Sequence, residues 1–172
     1  MKTNVKKLTV AAMLLALCML LPVITGGIPE VGNAISPMHI PVFICGFVCG
    51  PVYGFAVGFI APLMRSVLFS APPMYPMAVS MAFELAAYGL LCGILRKAFP
   101  KKNIWIYPSL IISMLAGRAV WGVARYVMAG LDGSDFSMAM FIAGAFTQAV
   151  PAIICHLLVV PPAVMVIEKF KK

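Results

Sequence analysis

Residues 36–89 read SPMHIPVFICGFVCGPVYGFAVGFIAPLMRSVLFSAPPMYPMAVSMAFELAAYG. The stretch is apolar almost throughout, yet it carries His39, Arg65 and Glu84 at separated points. Glycines recur at every fourth position through Gly46, Gly50, Gly54 and Gly58, and prolines punctuate the run at Pro37, Pro41, Pro51, Pro62, Pro72, Pro73 and Pro76. A water-soluble core does not tolerate this density of apolar surface. A bundle of helices in a bilayer does, and its few charges then need a reason.

The rest of the chain agrees. Of 172 residues, 63% are hydrophobic and 10% charged, and the mean hydropathy is +1.04. A membrane β-barrel would alternate strictly between apolar and polar residues, and this chain does not. Backbone groups in lipid must then be satisfied within helices. The expectation is an all-α integral membrane protein of one domain, with six transmembrane helices near 8–24, 37–50, 52–69, 77–95, 104–129 and 138–167. The last is too long to be lipid-buried throughout, and Pro151, Pro161 and Pro162 are expected to kink or end it.

The net charge of +8 could suggest nucleic acid, but its placement is topological. Ten of the thirteen basic residues fall in three clusters outside the apolar runs: Lys2, Lys6 and Lys7; Arg96, Lys97, Lys101 and Lys102; Lys169, Lys171 and Lys172. Six spans put all three clusters on one side, together with both termini, and the positive-inside rule makes that side the cytoplasm. The opposite loops hold Glu30, Asp132 and Asp135 and no lysine or arginine. Residues 1–26 resemble a signal peptide, but no A-x-A-like site follows the run. Bulky Leu17 before Cys18 also argues against a lipoprotein signal, so the first span is expected to remain. The five cysteines lie in apolar runs, which argues against a disulfide framework. Cys45 and Cys49 are read as small packing residues.

A charge at mid-bilayer costs about 2.5–3.5 kcal/mol on insertion scales. Following each span through the membrane, Arg65, Glu84, Arg118 and Arg125 all fall in outer halves. Arg118 and Arg125 are seven residues apart, on one helical face with Trp121 between them. His39 opens the second span, Asn33 lies just above it, and Gln148 lies in the outer half of the sixth. His156 is read as deeper, and the two histidines as no metal pair. One reading is structural: Glu84 neutralises an arginine and the others snorkel. The other is an outward-facing pocket with surplus positive charge, suited to a small anion with an apolar body. Trp121, Tyr75, Tyr88 or Phe83 would pack against that body.

Enzymatic signals are weak. Asp132 and Asp135 sit in a Gly-rich loop with no third acid nearby. The absence of a Walker motif means that the chain cannot itself use ATP, and no inverted repeat marks a self-sufficient transporter. A small membrane enzyme or assembly factor using Glu84 or His156 stays open as a different class.

The six-span pattern, the 12–16 segment AMLLA with Ala12 and Ala16 one turn apart, and the block PMHIPVFICGFVCGPVYG…APLMRSVLF…PPMYP…MAFELAAYG resemble the substrate-binding S components of energy-coupling factor (ECF) vitamin transporters. Among them the pantothenate group is the most similar. The resemblance implies a bacterial plasma-membrane subunit, not an enzyme, that binds a vitamin from outside. It implies docking through Ala12 and Ala16 on a membrane coupling subunit, which two cytoplasmic ATPases drive. The loops at 26–36 and 70–76 would cap the pocket. The chain would hold no cofactor, ATP being used by the partner subunits. Its expected ligand contacts are Arg65, Arg118 and Arg125 for charge, His39, Asn33, Glu84 and Gln148 for hydrogen bonds, and Trp121 for packing. Folate, riboflavin or a cobalamin-related precursor are the alternative ligands.

Overall fold

The computed structural model describes residues 2–25, 36–100, 102–147 and 149–170. Among them are seven α-helices: α1 Lys2–Thr25, α2 His39–Cys49, α3 Pro51–Phe69, α4 Val79–Ala98, α5 Ile106–Asp132, α6 Met138–Ile142 and α7 Val150–Phe170. A π-helical turn, Met74–Ala78, leads into α4, and a second, Ala143–Thr147, follows α6. Five segments are long and apolar enough to cross a membrane: Val5–Ile24, Pro51–Phe69, Met74–Ala98, Asn103–Asp132 and Met138–Phe170. The last contains the break after α6, whereas Pro161 and Pro162 lie inside α7 without ending it.

The sequence explains most helix ends. Gly50 takes φ 101°, a backbone state that a side chain resists, and its N–H caps α2 on the Gly46 carbonyl. Pro51, with φ already helical and no N–H to satisfy, starts α3 at once. Gly133 closes α5 in the left-handed region. The Ser137 hydroxyl accepts the Met140 N–H to cap α6.

Helix α2 is the centre of the bundle. It has only 11 residues, and all but Ile40 are buried. An all-round apolar helix has no polar face to give to water and must be enclosed. It lies against α1, α3, α4 and α7, while α4 packs along both α3 and α5. Glycine makes the closest of these crossings. A Cβ on Gly46 or Gly54 would run into the Gly89 carbonyl, one on Gly58 into that of Leu85, and one on Gly93 into Pro51. The four-residue glycine series thus lets the α2, α3 and α4 backbones touch.

At one end of the bundle, Arg96 of α4 forms a two-pronged ion pair with Glu168 of α7, Nε donating to Oε1 and Nη2 to Oε2. This pair gathers Lys97 and Lys169 at the same end. The arginine is largely covered and the glutamate about a third exposed, so Glu168→Gln is expected to cost about 1 kcal/mol. Thermal unfolding should fall by about 2–4 °C; an unchanged midpoint would mean that solvent screens the pair completely. At the other end the Tyr75 hydroxyl donates to the Met128 carbonyl at 3.1 Å, tying the 70–76 turn to α5.

Candidate functional site

Glu84 and Tyr88 are one turn apart on α4 and therefore share a face. Both point inward and are buried. The Tyr88 hydroxyl donates to Glu84 Oε1 at 2.6 Å, and Arg118 Nη1 of α5 meets the same oxygen at 2.9 Å. The neighbouring Gly117 makes room, since a Cβ there would enter the Tyr88 ring. A buried carboxylate is tolerable only when paired and hydrogen-bonded, and α4 and α5 supply both.

The cluster continues onto α2 and α7. The His39 ring lies 5.7 Å from that of Tyr88 and stacks on His156 at 5.6 Å and 25°. Phe43 contacts both Tyr88 and His156. His39 Nδ1 is 3.1 Å from the Ser36 carbonyl oxygen, and His156 Nε2 is 3.4 Å from the same atom. A carbonyl only accepts, so both ring nitrogens donate.

This corrects the expectation that the histidines lie at different depths. Its premise was a second span crossing the whole membrane. Helix α2 is too short for that, so its first residue stands in the middle of the bundle. At about 1.5 Å per residue, His39 is about 15 Å above the end of α2, Glu84 and His156 about 18 Å above the Arg96–Glu168 pair, and Arg118 about 18 Å above the start of α5. These four share one level, and Tyr88, one turn below Glu84, reaches it with its hydroxyl.

The other expected site residues lie elsewhere. Arg65 donates to the Met19 carbonyl of α1 at 3.1 Å and covers the Phe69 ring. Arg125 lies over the Phe136 ring at 5.6 Å. Trp121 packs on Phe136 and Phe141 and touches the Gly144 position. Thus His39, Glu84 and Arg118 come together, Trp121 and Arg125 form a second group around Phe136, and Arg65 stands at the α1–α3 contact. Asn33, Gln148 and nearly all of the 26–36 loop lie outside the described residues. Phe83 is exposed and packs on Phe59, on a different face of α4 from Glu84 and Tyr88. An apolar cavity of about 400 Å³ lies between α5 and the 136–141 segment, lined by Gly122, Val123, Tyr126, Phe136 and Phe141 among others. No group of three or more metal-ligating side chains occurs among the described residues.

The sequence reading missed the roles of Ser36, His156, Gly117 and the Tyr88 hydroxyl. The spacing of Glu84 and Tyr88 was a legible signal. The shared carbonyl was not, because it depends on where α2 begins.

On α1, Ala12 and Ala16 are exposed beside Met13, Leu17 and Leu20, while Ala11, Leu14 and Cys18 are buried. The two alanines thus lie on a face that the bundle leaves open.

Comparison with curated proteins found no match, and neither did comparison with solved structures. Residues 6–164 match the family described as "ECF transporter, substrate-specific component". With nearly its whole length covered, and a polar level enclosed by apolar helices, the chain belongs to the substrate-specific components of ECF transporters.

Proposed function

We propose that this membrane subunit captures a small anionic vitamin from outside the cell, pantothenate first among candidates, for ATP-driven uptake through an ECF module. As a transporter subunit it is not an enzyme, which removes the membrane-enzyme reading. The observation that carries the anionic ligand is the balance of charge within the membrane-spanning helices. Glu84 answers Arg118, while among the described residues neither Arg65 nor Arg125 is in an ion pair. Both are half-buried, and Arg125 has the exposed Asp132 carboxylate in its surroundings; neither is held in a pair, and guanidinium groups fit carboxylates.

By helical rise, Arg65 stands about 21 Å and Arg125 about 28 Å above the inner ends of their helices. In this reading an anion meets Arg125 first, then Arg65, and settles at the level of Arg118, His39 and Glu84. Asn33 and Gln148 complete its hydrogen bonds, Trp121 packs on its apolar part, and the 26–36 and 70–76 loops cap it. The bundle end with Lys97 and Lys169 faces the cytoplasm, as do both termini. The open face at Ala12 and Ala16 supports docking on a membrane coupling subunit, itself driven by two cytoplasmic ATPases, since small residues allow close helix approach.

Native mass spectrometry of gently purified protein tests the ligand. A bound mass equal to pantothenate supports the reading, and a neutral or cationic vitamin overturns the anionic site. Folate would keep the anionic site and change the vitamin. Titration calorimetry of pantothenate against Arg65→Ala and Arg125→Ala is expected to show about tenfold or greater weakening at each, corresponding to one charge-assisted contact, with the thermal midpoint little changed. Unaltered affinity at either position removes that residue from the site.

A further inference from the structure

His39 Nε2 is buried and has no hydrogen-bond partner among the described residues, and the residue as a whole is 4% exposed. Buried polar atoms are almost always paired, so such an exception calls for a cause. The tautomer follows from the other ring nitrogen: Nδ1 donates to the Ser36 carbonyl, which leaves Nε2 with a bare lone pair. A second proton on Nε2 would set an uncompensated charge among Phe43, Tyr88 and His156 at the level of Arg118, where burial of a charge is most costly. The atom is therefore an acceptor that lacks a donor among the described residues. None of the described polar groups nearby donates to it. Tyr88 gives its proton to Glu84, Arg118 is held by the same carboxylate, and His156 Nε2 donates to Ser36.

We propose that His39 Nε2 accepts a hydrogen bond from the transported molecule and is its specificity-determining contact. The substrate class is then an acid that also carries a hydroxyl donor, rather than a simple carboxylate. The inference rests on the reading that the polar level lines the ligand site. His39 reads the donor, and the arginines hold the acid. The ring is fixed for this task on three sides, by the Ser36 carbonyl, the stacked His156 and the tilted Tyr88. A ligand without the donor would leave Nε2 dry and unpaired, which is how a polar site rejects an analogue lacking one hydroxyl.

The test uses full-length protein in nanodiscs, with pantothenate and its analogue in which both hydroxyls are replaced by hydrogen. Wild-type protein is expected to prefer pantothenate by about ten- to hundredfold. In His39→Asn the amide replaces the Nδ1 donor to Ser36 but offers nothing at the Nε2 position, so the preference should vanish with the fold intact. In His39→Gln the amide reaches the Nε2 position, so part of the preference should return. A His39→Asn protein that keeps the full preference overturns the proposal.

The chain has two histidines, so ¹⁵N-histidine NMR with His156→Phe as the assignment control reports on His39 directly. The Nε2 resonance should move from that of a free lone pair to that of an acceptor on saturation with pantothenate. A resonance that is already that of an acceptor without ligand, and does not change with it, means that internal solvent satisfies the atom and overturns the proposal. If wild-type protein binds no pantothenate, the assigned vitamin falls. The same resonance, recorded on protein carrying whatever ligand co-purifies, then decides the role of His39: a lone-pair signal in loaded protein refutes it.

Discussion

Replacing Arg118 with alanine is expected to cost about 3–5 kcal/mol of folding stability, the usual penalty for leaving one member of a buried ion pair alone. Glu84 would remain among apolar side chains with only the Tyr88 hydroxyl to answer it. Glu84→Gln keeps the shape and the acceptor for Tyr88 but strands the guanidinium, whose side chain is 16% exposed. Its cost should be smaller because Arg118 has some access to solvent. The combination Glu84→Gln with Arg118→Met removes both charges and should recover much of the loss, since a buried pair is often no better than apolar packing of like volume. The measurement is thermal unfolding of all four proteins in nanodiscs. An Arg118→Ala protein as stable as wild type would mean that Glu84 is not held by Arg118. A recovered double variant that no longer binds ligand would show that the pair is kept for recognition rather than for stability.

The second large effect is at the glycine crossing. Gly89→Val and Gly54→Leu are expected to prevent assembly of the bundle, because each side chain would have to occupy backbone of the facing helix. Gly54→Ala should cost about 1–3 kcal/mol, in the range of overpacked cores. Gly130→Ala is the internal control. Nothing lies within 4 Å of a Cβ there, and the position is helical, so the substitution should stabilise by about 0.5–1 kcal/mol. Resistance to unfolding in mixed micelles would rank the series. If Gly54→Ala behaved like Gly130→Ala, the α3–α4 crossing would have to be looser than its backbone contacts indicate.

Much of this architecture could be read from the residues. The apolar runs announced the helices, Gly50-Pro51 announced the break between α2 and α3, and the costly charge on Glu84 announced an arginine partner without saying which one. Each rests on a local rule: period, backbone preference or the price of a buried charge. What could not be read depended on helix register across space. The starting depth of α2 placed His39 beside His156, and nothing near residue 156 signals that contact. The separation of Arg65 and Arg125 from the polar level was equally hidden. Depth along a helix follows from counting residues, but the direction in which a long side chain leaves it depends on partners such as the Met19 carbonyl and the Phe136 ring. The docking proposed for Ala12 and Ala16 belongs to a third kind. The open face of α1 is a fact of packing, whereas what covers it depends on another chain.

The shortness of α2 also bears on biogenesis. Eleven residues rise about 16 Å, roughly half of a bilayer's hydrocarbon thickness. Such a segment is too short to partition into lipid as an independent unit, and no charge flanks it to set its direction. Joined to α3 through the single residue Gly50, it has to enter the membrane as one arm of a helical hairpin. The other arm is long enough to span. Its enclosure then waits for α4 and α7, both of which are synthesised later and pack against it. The polar level around His39 is consequently among the last parts of the molecule to form, and a chain truncated before α7 would leave it open on one side.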